Sequence, residues 1–306
     1  MSKVKWTTDN IPSLAGKTII VTGGNSGLGF QSVKAYCEKG AHVIMACRSV
    51  SRGEEAKNEI LKTCKNADIV VMQLDLADLS SVRKFVDEFK KSHQQLHILL
   101  NNAGIMMVPY GLTKDGIESQ QGTNYFGHFA LTGMLLDVLK NTPKSRVINV
   151  SSLAHKQGVM DFDNLLFDGG KGYASFKAYG RSKLENLLFT YELQRYFETN
   201  RFDTIAVAAH PGTSNTNLFS HIGGKFLQAL LKPLMSLFIQ PSSMGALPEL
   251  RASVDPDAKG GEFYGPDGRG GLRGYPVIVQ PNNAAKDKES ARKLWEFSEK
   301  ITGVKY

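Results

Sequence analysis

The chain has 306 residues, 42% hydrophobic and 22% charged, a globular composition that excludes fibrous and disordered classes and allows one large domain or two small ones. The net charge of +8 invites nucleic acid, but basic residues alternate with acids, as in Lys84 to Lys91 and Lys286 to Lys293, and form no basic stripe. Three cysteines without CxxC spacing, a polar N-terminal arm (residues 1–16) and no run near the ~20 apolar residues of a membrane span predict a soluble cytoplasmic protein with free thiols.

The β-branched run Thr18 to Val21 predicts a strand buried on both faces. Thr22-Gly-Gly-Asn-Ser-Gly-Leu-Gly29 follows, and a helical pattern opens at Leu28. Glycine has no Cβ, so Gly23, Gly27 and Gly29 permit a tight turn and close approach of backbone to a pyrophosphate. The helix start offers unpaired N–H groups and a positive dipole end to the same phosphates. A glycine cluster between buried strand and helix is far more specific than glycines alone.

Further strands are expected at Ala41–Ala46, Ile69–Leu74, His97–Leu100, Arg146–Val150 and Thr204–Ala209, with a last short one at Glu262–Pro266. Helices are expected at Glu54–Leu61, Leu79–Phe89, around Asn124–Leu139, at Ser182–Tyr196 as an amphipathic helix, and at Ala284–Ile301 with Gly303 as its C-cap. Gly268–Gly274 reads as a surface loop. The alternation predicts one α/β domain over residues 1–306, a doubly wound parallel sheet of about seven strands with helices on both faces.

In this order the motifs resemble the short-chain dehydrogenase/reductase family, in its retinol-dehydrogenase-like branch. Thr22-Gly23-x-x-x-Gly27-x-Gly29 matches the family's TGxxxGxG, and Asn101-Asn102-Ala103-Gly104 its NNAG. The resemblance implies a nicotinamide cofactor held by Gly23, Asn25, Ser26, Gly27, Leu28, Gly29, Asp75, Leu76, Asn102, Ala103, Gly104, Pro211, Gly212 and Thr213, with Asp75 on the adenine. It implies that Asn124 holds a proton-relay water and that Ser152 orients the substrate carbonyl, leaving Ser151 structural. His155 stands where the family's serine motif usually has glycine.

Tyr179-Gly-Arg-Ser-Lys183 matches the family's YxxSK, and its spacing puts Tyr179 and Lys183 on one helix face. A nearby ammonium lowers a tyrosine pKa by about 1–3 units while desolvation raises it, so the lysine has to win. By the resemblance Lys183 also binds the nicotinamide ribose. Tyr173-Ala-Ser-Phe-Lys177 is a competing Y-x-x-x-K, but it lies among glycines and lacks the serine before its lysine.

The stretch from Ser152 to Tyr179 is longer than in the shortest family members, through an insertion near Gly158–Gly172 at the rim of the site. Similar insertions, and Ala46-Cys47-Arg48-Ser49, occur in the retinol-dehydrogenase-like branch. Arg48 replaces the acid of NAD-preferring relatives and can pair with a 2′-phosphate, which predicts NADP(H). The apolar segment 213–240, with Gly223-Gly224 and Pro233, reads either as a core helix pair packed on the sheet edge or, from its place after Pro211-Gly212, as a two-part substrate lid. The expected activity is NADP(H)-dependent interconversion of an apolar carbonyl and its alcohol. Tyr179 is its acid/base, no metal takes part, and a homo-oligomer stays open. The alternatives are a non-catalytic NADP(H)-sensing interaction protein and a sugar-nucleotide epimerase.

Overall fold

The computed structural model describes residues 5–213 and 240–306; Met1–Val4 of the arm and nearly all of the expected lid, Ser214–Ile239, lie outside the described residues. Five parallel strands carry the site: β1 (Thr18–Thr22), β2 (His42–Cys47), β3 (Asp68–Gln73), β4 (Ile98–Asn101) and β5 (Arg146–Val150). β6 (Ile205–Ala209), β7 (Phe263–Pro266) and β8 (Pro276–Ile278) extend the sheet, whose order is β3-β2-β1-β4-β5-β6-β7-β8. Among the described residues, β8 alone of the sheet's strands is antiparallel. It is the one strand more than expected, three residues long and led by Pro276, a residue confined to edges because it donates no ladder bond.

Strand side chains alternate between two cores, as the period of two requires. Ile20, Ile44, Leu99 and Val147 face α3 (Leu79–Ser92) and the helices following it. Ile19, Val21, Val43, Met45, Leu100 and Ile148 face α1 (Gly27–Glu38) and α2 (Val50–Thr63). Ser49 caps α2 and the Asp78 carboxylate caps α3 through two N–H groups, which sets where both helices begin.

Between Ser119 and Lys140 the expected single helix is broken. A π-helical turn, Gly122–Phe126, leads into α4 (Gly127–Met134), and α5 (Leu136–Lys140) follows. Such turns concentrate at functional sites, and this one holds Asn124. Next comes α6 (Ser175–Thr199), in which every residue from Ala178 to Thr190 is buried. The amphipathic reading therefore fails: the outer face is covered by residues 158–172 and by the C-terminal helix.

α7 (Ser242–Val254) packs on α1 but was hidden in the sequence by Gly245 and Pro248. α8 (Lys288–Thr302) closes the fold, and Gly303, at φ 67°, caps it as expected. Its Trp295 and the nearby Tyr306 pack against Phe129 and Phe189. The arm is anchored by buried Ile11 and Leu14, with the Leu14 N–H on the Lys39 carbonyl.

Where α1 meets the β1 turn there is no spare space. A Cβ on Gly29 would lie 2.4 Å from the Gly23 carbonyl oxygen and 2.6 Å from Asn102 Nδ2, so helix or turn would have to move. Gly29→Ala should therefore destabilise the fold by about 1–3 kcal/mol, read as a lowered midpoint in urea with an unchanged slope.

Candidate active site

The strand order reverses between β2 and β4 around β1, which places a crevice at the carboxyl ends of these strands. Gly23 and Gly27 have φ of 66° and 56° in the turn after β1, a conformation open to few other residues. Ser26 makes no side-chain capping bond at the start of α1, and the first turn carries no acid. The leading N–H groups are thus left to an anion. Asn25 is half-buried, Ser26 exposed and Leu28 buried. This cradle, too tight for a Cβ at Gly29, fits a dinucleotide pyrophosphate.

Opposite the cradle stands the turn after β4. Asn102 Nδ2 donates to the Thr22 carbonyl (2.8 Å), and the N–H groups of Asn102 and Ala103 both donate to Thr22 Oγ1 (2.9 Å each). A Cβ on Gly104 would lie 3.2 Å from Asn124 Oδ1 and 3.5 Å from Lys183 Nζ. Asn124 is wholly buried. Its side chain accepts from the Ile105 N–H (2.8 Å) and donates to the Ile105 carbonyl (3.0 Å) and to Ser182 Oγ (2.9 Å).

Asp75 is half-buried, with Oδ1 accepting the Ala77 N–H at 3.0 Å; Leu76 is buried against Gly127. Arg48 is exposed just beyond β2 and forms no ion pair among the described residues. Gly212 has φ 65° and donates to His210 Nδ1 (3.2 Å). Thr213 is held by the Leu272 carbonyl (2.7 Å) and itself accepts the Gln240 N–H (2.9 Å). The 268–274 loop is accordingly part of the site's wall, not merely surface.

Ser152, Tyr179 and Lys183 converge beyond β5. The Ser152 hydroxyl accepts the Ala154 N–H (3.2 Å) and stands near enough to the Tyr179 hydroxyl to influence its ionisation. Lys183 Nζ lies 5.8 Å from the centre of the Tyr179 ring and donates to the Val150 carbonyl (3.0 Å), which also accepts from Asn186 Nδ2 (3.0 Å). Ser151 Oγ donates to the Lys183 carbonyl (2.7 Å), fastening α6 to β5.

Burial raises the Tyr179 pKa, with the neighbouring Ser152 hydroxyl pulling the other way. The expected dominance of the ammonium is therefore not what this geometry gives: desolvation wins at Tyr179, and the lysine head is engaged elsewhere. Burial also pushes Lys183 down from 10.5 to about 8, against a smaller upward pull from Glu249. The competing Tyr173 precedes α6. Its hydroxyl donates to the Val108 carbonyl (2.7 Å) and accepts from Gln120 Nε2 (2.9 Å). Lys177 lies over the Phe167 ring.

Residues 17–164 match the family described as short chain dehydrogenase. Retinol dehydrogenase 11 of Mus musculus is 42% identical over 97% of this chain and 89% of its own. Retinol dehydrogenase 12 of the same organism is 37% identical over 98% and 90%. The chain belongs to the short-chain dehydrogenase/reductase family. Its place is in the retinol-dehydrogenase-like branch of this oxidoreductase family. A crystal structure of an uncharacterized protein from Mycobacterium Paratuberculosis superposes with a TM-score of 0.82 at 40% identity, over 99% of both chains. Among the described residues no helix of this dehydrogenase/reductase is long and apolar enough to cross a membrane.

Several residues of this short-chain dehydrogenase/reductase site escaped sequence reading. His128, Gln120, Gln240 and Leu272 act through partners far along the chain, which local patterns do not reveal. His128 could have been suspected only from its i+4 spacing to Asn124.

Lys183 also ties the site to stability. Its folded pKa lies below the unfolded value, so holding it charged opposes folding below about pH 8, and that penalty is relieved as the pH rises towards 10.5. Lys183→Met should therefore melt higher than the parent at pH 7, by about 1–3 kcal/mol, with the gain shrinking above pH 8. An unchanged difference across that range would be incompatible with a depressed lysine.

Proposed function

We propose that the protein is an NADP(H)-dependent oxidoreductase that interconverts an apolar carbonyl compound and its alcohol. The observation that carries this reading is the placement of Lys183 Nζ 5.8 Å from the Tyr179 ring centre and against Gly104 at the crevice end of the sheet, with the Ser152 hydroxyl beside Tyr179. When bound, the nicotinamide supplies or takes up the hydride. Ser152 holds the carbonyl oxygen by hydrogen bonding. Tyr179, kept protonated by burial, donates its proton to that oxygen in the reductive direction and receives it back in oxidation.

Lys183 would hold the nicotinamide ribose and keep positive charge beside the tyrosinate as it forms. Asn124 would supply a proton-relay water through the ordered π-helical turn. Arg48, exposed just beyond β2, supports NADP(H) over NAD(H), because a guanidinium can pair with a 2′-phosphate. The substrate class rests on two supports. Tyr110, Leu112, Val159 and Phe176 leave apolar surface in the segments beyond β4 and β5 and at the start of α6, and the mouse relatives are named retinol dehydrogenases. The three free cysteines suit a reducing compartment, and a cytoplasmic setting is consistent with them.

In an NADPH-oxidation assay over apolar aldehydes and ketones, Tyr179→Phe should lower turnover by about 10²–10⁴ while leaving the NADPH dissociation constant within about twofold. Tyr173→Phe should keep most of the activity, because that hydroxyl is committed to Val108. Loss of turnover in the second variant alone would reassign the acid.

The cofactor assignment has its own test. Arg48→Asp should weaken NADPH by at least about tenfold, the loss of one charge-assisted pair, and leave NADH almost unaltered. Equal dissociation constants for the two cofactors in the parent protein would sink the assignment.

A further inference from the structure

The insertion between Ser152 and Tyr179 raises the question of where its backbone polar groups go, since buried carbonyls need donors. One side chain answers for three of them. Arg181 is wholly buried, donating from Nε to the Val159 carbonyl (2.9 Å) and from Nη1 to the carbonyls of Asn164 (2.8 Å) and Leu165 (2.6 Å). Its guanidinium carbon lies 4.2 Å from the centre of the buried Phe167 ring, and Phe167 itself is held at φ 55°. Nη2 has only the Asp161 carboxylate, at 4.0 Å. Arg181 thus stands inside the Tyr179-to-Lys183 motif yet points away from the chemistry, into the insertion.

Both ends of the insertion reach the site. At its start, a Cβ on Gly158 would fall 2.6 Å from the Gly180 carbonyl oxygen, and one on Gly180 would fall 2.9 Å from the Ala154 carbonyl oxygen. The Ser152 turn and α6 therefore touch backbone to backbone. At its end, Gly170 meets Tyr110, and Tyr173 packs against both Phe167 and Tyr110 while bonding the Val108 carbonyl. These contacts join the insertion to the 105–112 segment that follows β4.

We infer that Arg181 is a positioning residue for the substrate site, seating residues 158–172 on the back of α6 and so fixing both the apolar rim at Val108–Tyr110 and the stance of Tyr179 against Ser152. The inference rests on the carbonyl-reductase reading for its kinetic consequence, but its structural consequence can be measured without turnover. A lysine cannot replace the fork: it has one donor head where three carbonyls from separated residues must be reached. What a lysine leaves unsatisfied are backbone carbonyls of the insertion, so the effect should be on the rim before it is on the sheet.

The test uses the full chain with Arg181→Lys, and with Phe167→Leu as a milder variant should the first fail to fold. With NADPH and either butanal or decanal, the KM for decanal should rise about tenfold, the equivalent of one or two lost buried hydrogen bonds. The KM for butanal should rise by less than about threefold on the same scale, with the NADPH dissociation constant unaltered. A lower melting temperature with an unchanged ratio of the two KM values would overturn the positioning role and leave Arg181 purely structural. Amide hydrogen exchange gives the second readout. Faster exchange at 159–167 together with 108–110 supports the inference. Acceleration confined to 159–167 overturns it, whether or not either aldehyde is turned over. Absence of NADPH oxidation in the parent would instead count against the functional reading.

Discussion

The site depends on the hydroxyl of Thr22, the last residue of β1. Its oxygen accepts the N–H groups of Asn102 and Ala103, and its proton goes to His128 Nε2 at 2.9 Å, with the Leu100 carbonyl more distant at 3.3 Å. The direction of each bond is fixed. His128 Nδ1 faces the Asn124 carbonyl at 2.9 Å, and a carbonyl only accepts, so Nδ1 carries the hydrogen and Nε2 offers its lone pair. Complete burial pushes His128 down to about 4, so the ring is neutral and this tautomer persists across ordinary pH. One hydroxyl thereby ties together the glycine turn, the turn after β4 and the π-helical turn that presents Asn124. Without it, the half-buried Ala103 N–H would lose its partner and the Asn102 N–H would keep only the Leu100 carbonyl (3.0 Å).

The elements that sequence reveals are those whose cause lies within a few residues. The strand at Thr18–Val21, the glycine cradle and the Gly303 cap each follow from local chemistry, and all stand where the residues imply. The α7 helix does not, because its stability comes from tertiary burial: Ser32 donates to Glu249 (2.7 Å) and Tyr36 shares a hydrogen bond with Ser253 (2.6 Å), partners on α1 far away in the chain. That packing outweighs the local cost of Gly245 and Pro248. The site shows the same division. The spacing of Ser152, Tyr179 and Lys183 is legible because one strand end and one helix carry it. The Thr22–His128 link and the Gln121–Glu185 contact across α6 are not.

A motif that spacing makes legible can carry electrostatics other than those its spacing implies. Spacing brings an ammonium near Tyr179, and nearness in water would lower the tyrosine. In the fold both groups are buried, so each is driven towards its neutral form. The Val150 carbonyl takes one of the ammonium's hydrogen bonds, and the Ser152 hydroxyl, which favours the ionised tyrosine, offsets burial at Tyr179 only in part. Charge is therefore held at the site by hydrogen bonds to fixed dipoles rather than by a close ion pair.

The same helix is enclosed on every side from Ala178 to Thr190. Enclosure needs cover for the outer face, where Arg181 and Glu185 lie. Glu185 is raised to about 8 by burial and accepts from Gln121 Nε2 at 2.6 Å. Arg181 donates to three carbonyls of the insertion. Two polar residues that would ordinarily mark a solvent face are instead covered, Arg181 by the insertion it holds and Glu185 by the turn that carries Gln121. Burial of Lys183 and Glu185 goes with the burial that keeps Tyr179 protonated. The insertion that covers Arg181 also reaches the 105–112 segment through Tyr110 and Tyr173, so the helix carrying Tyr179 and the segment beyond β4 are set by the same packing.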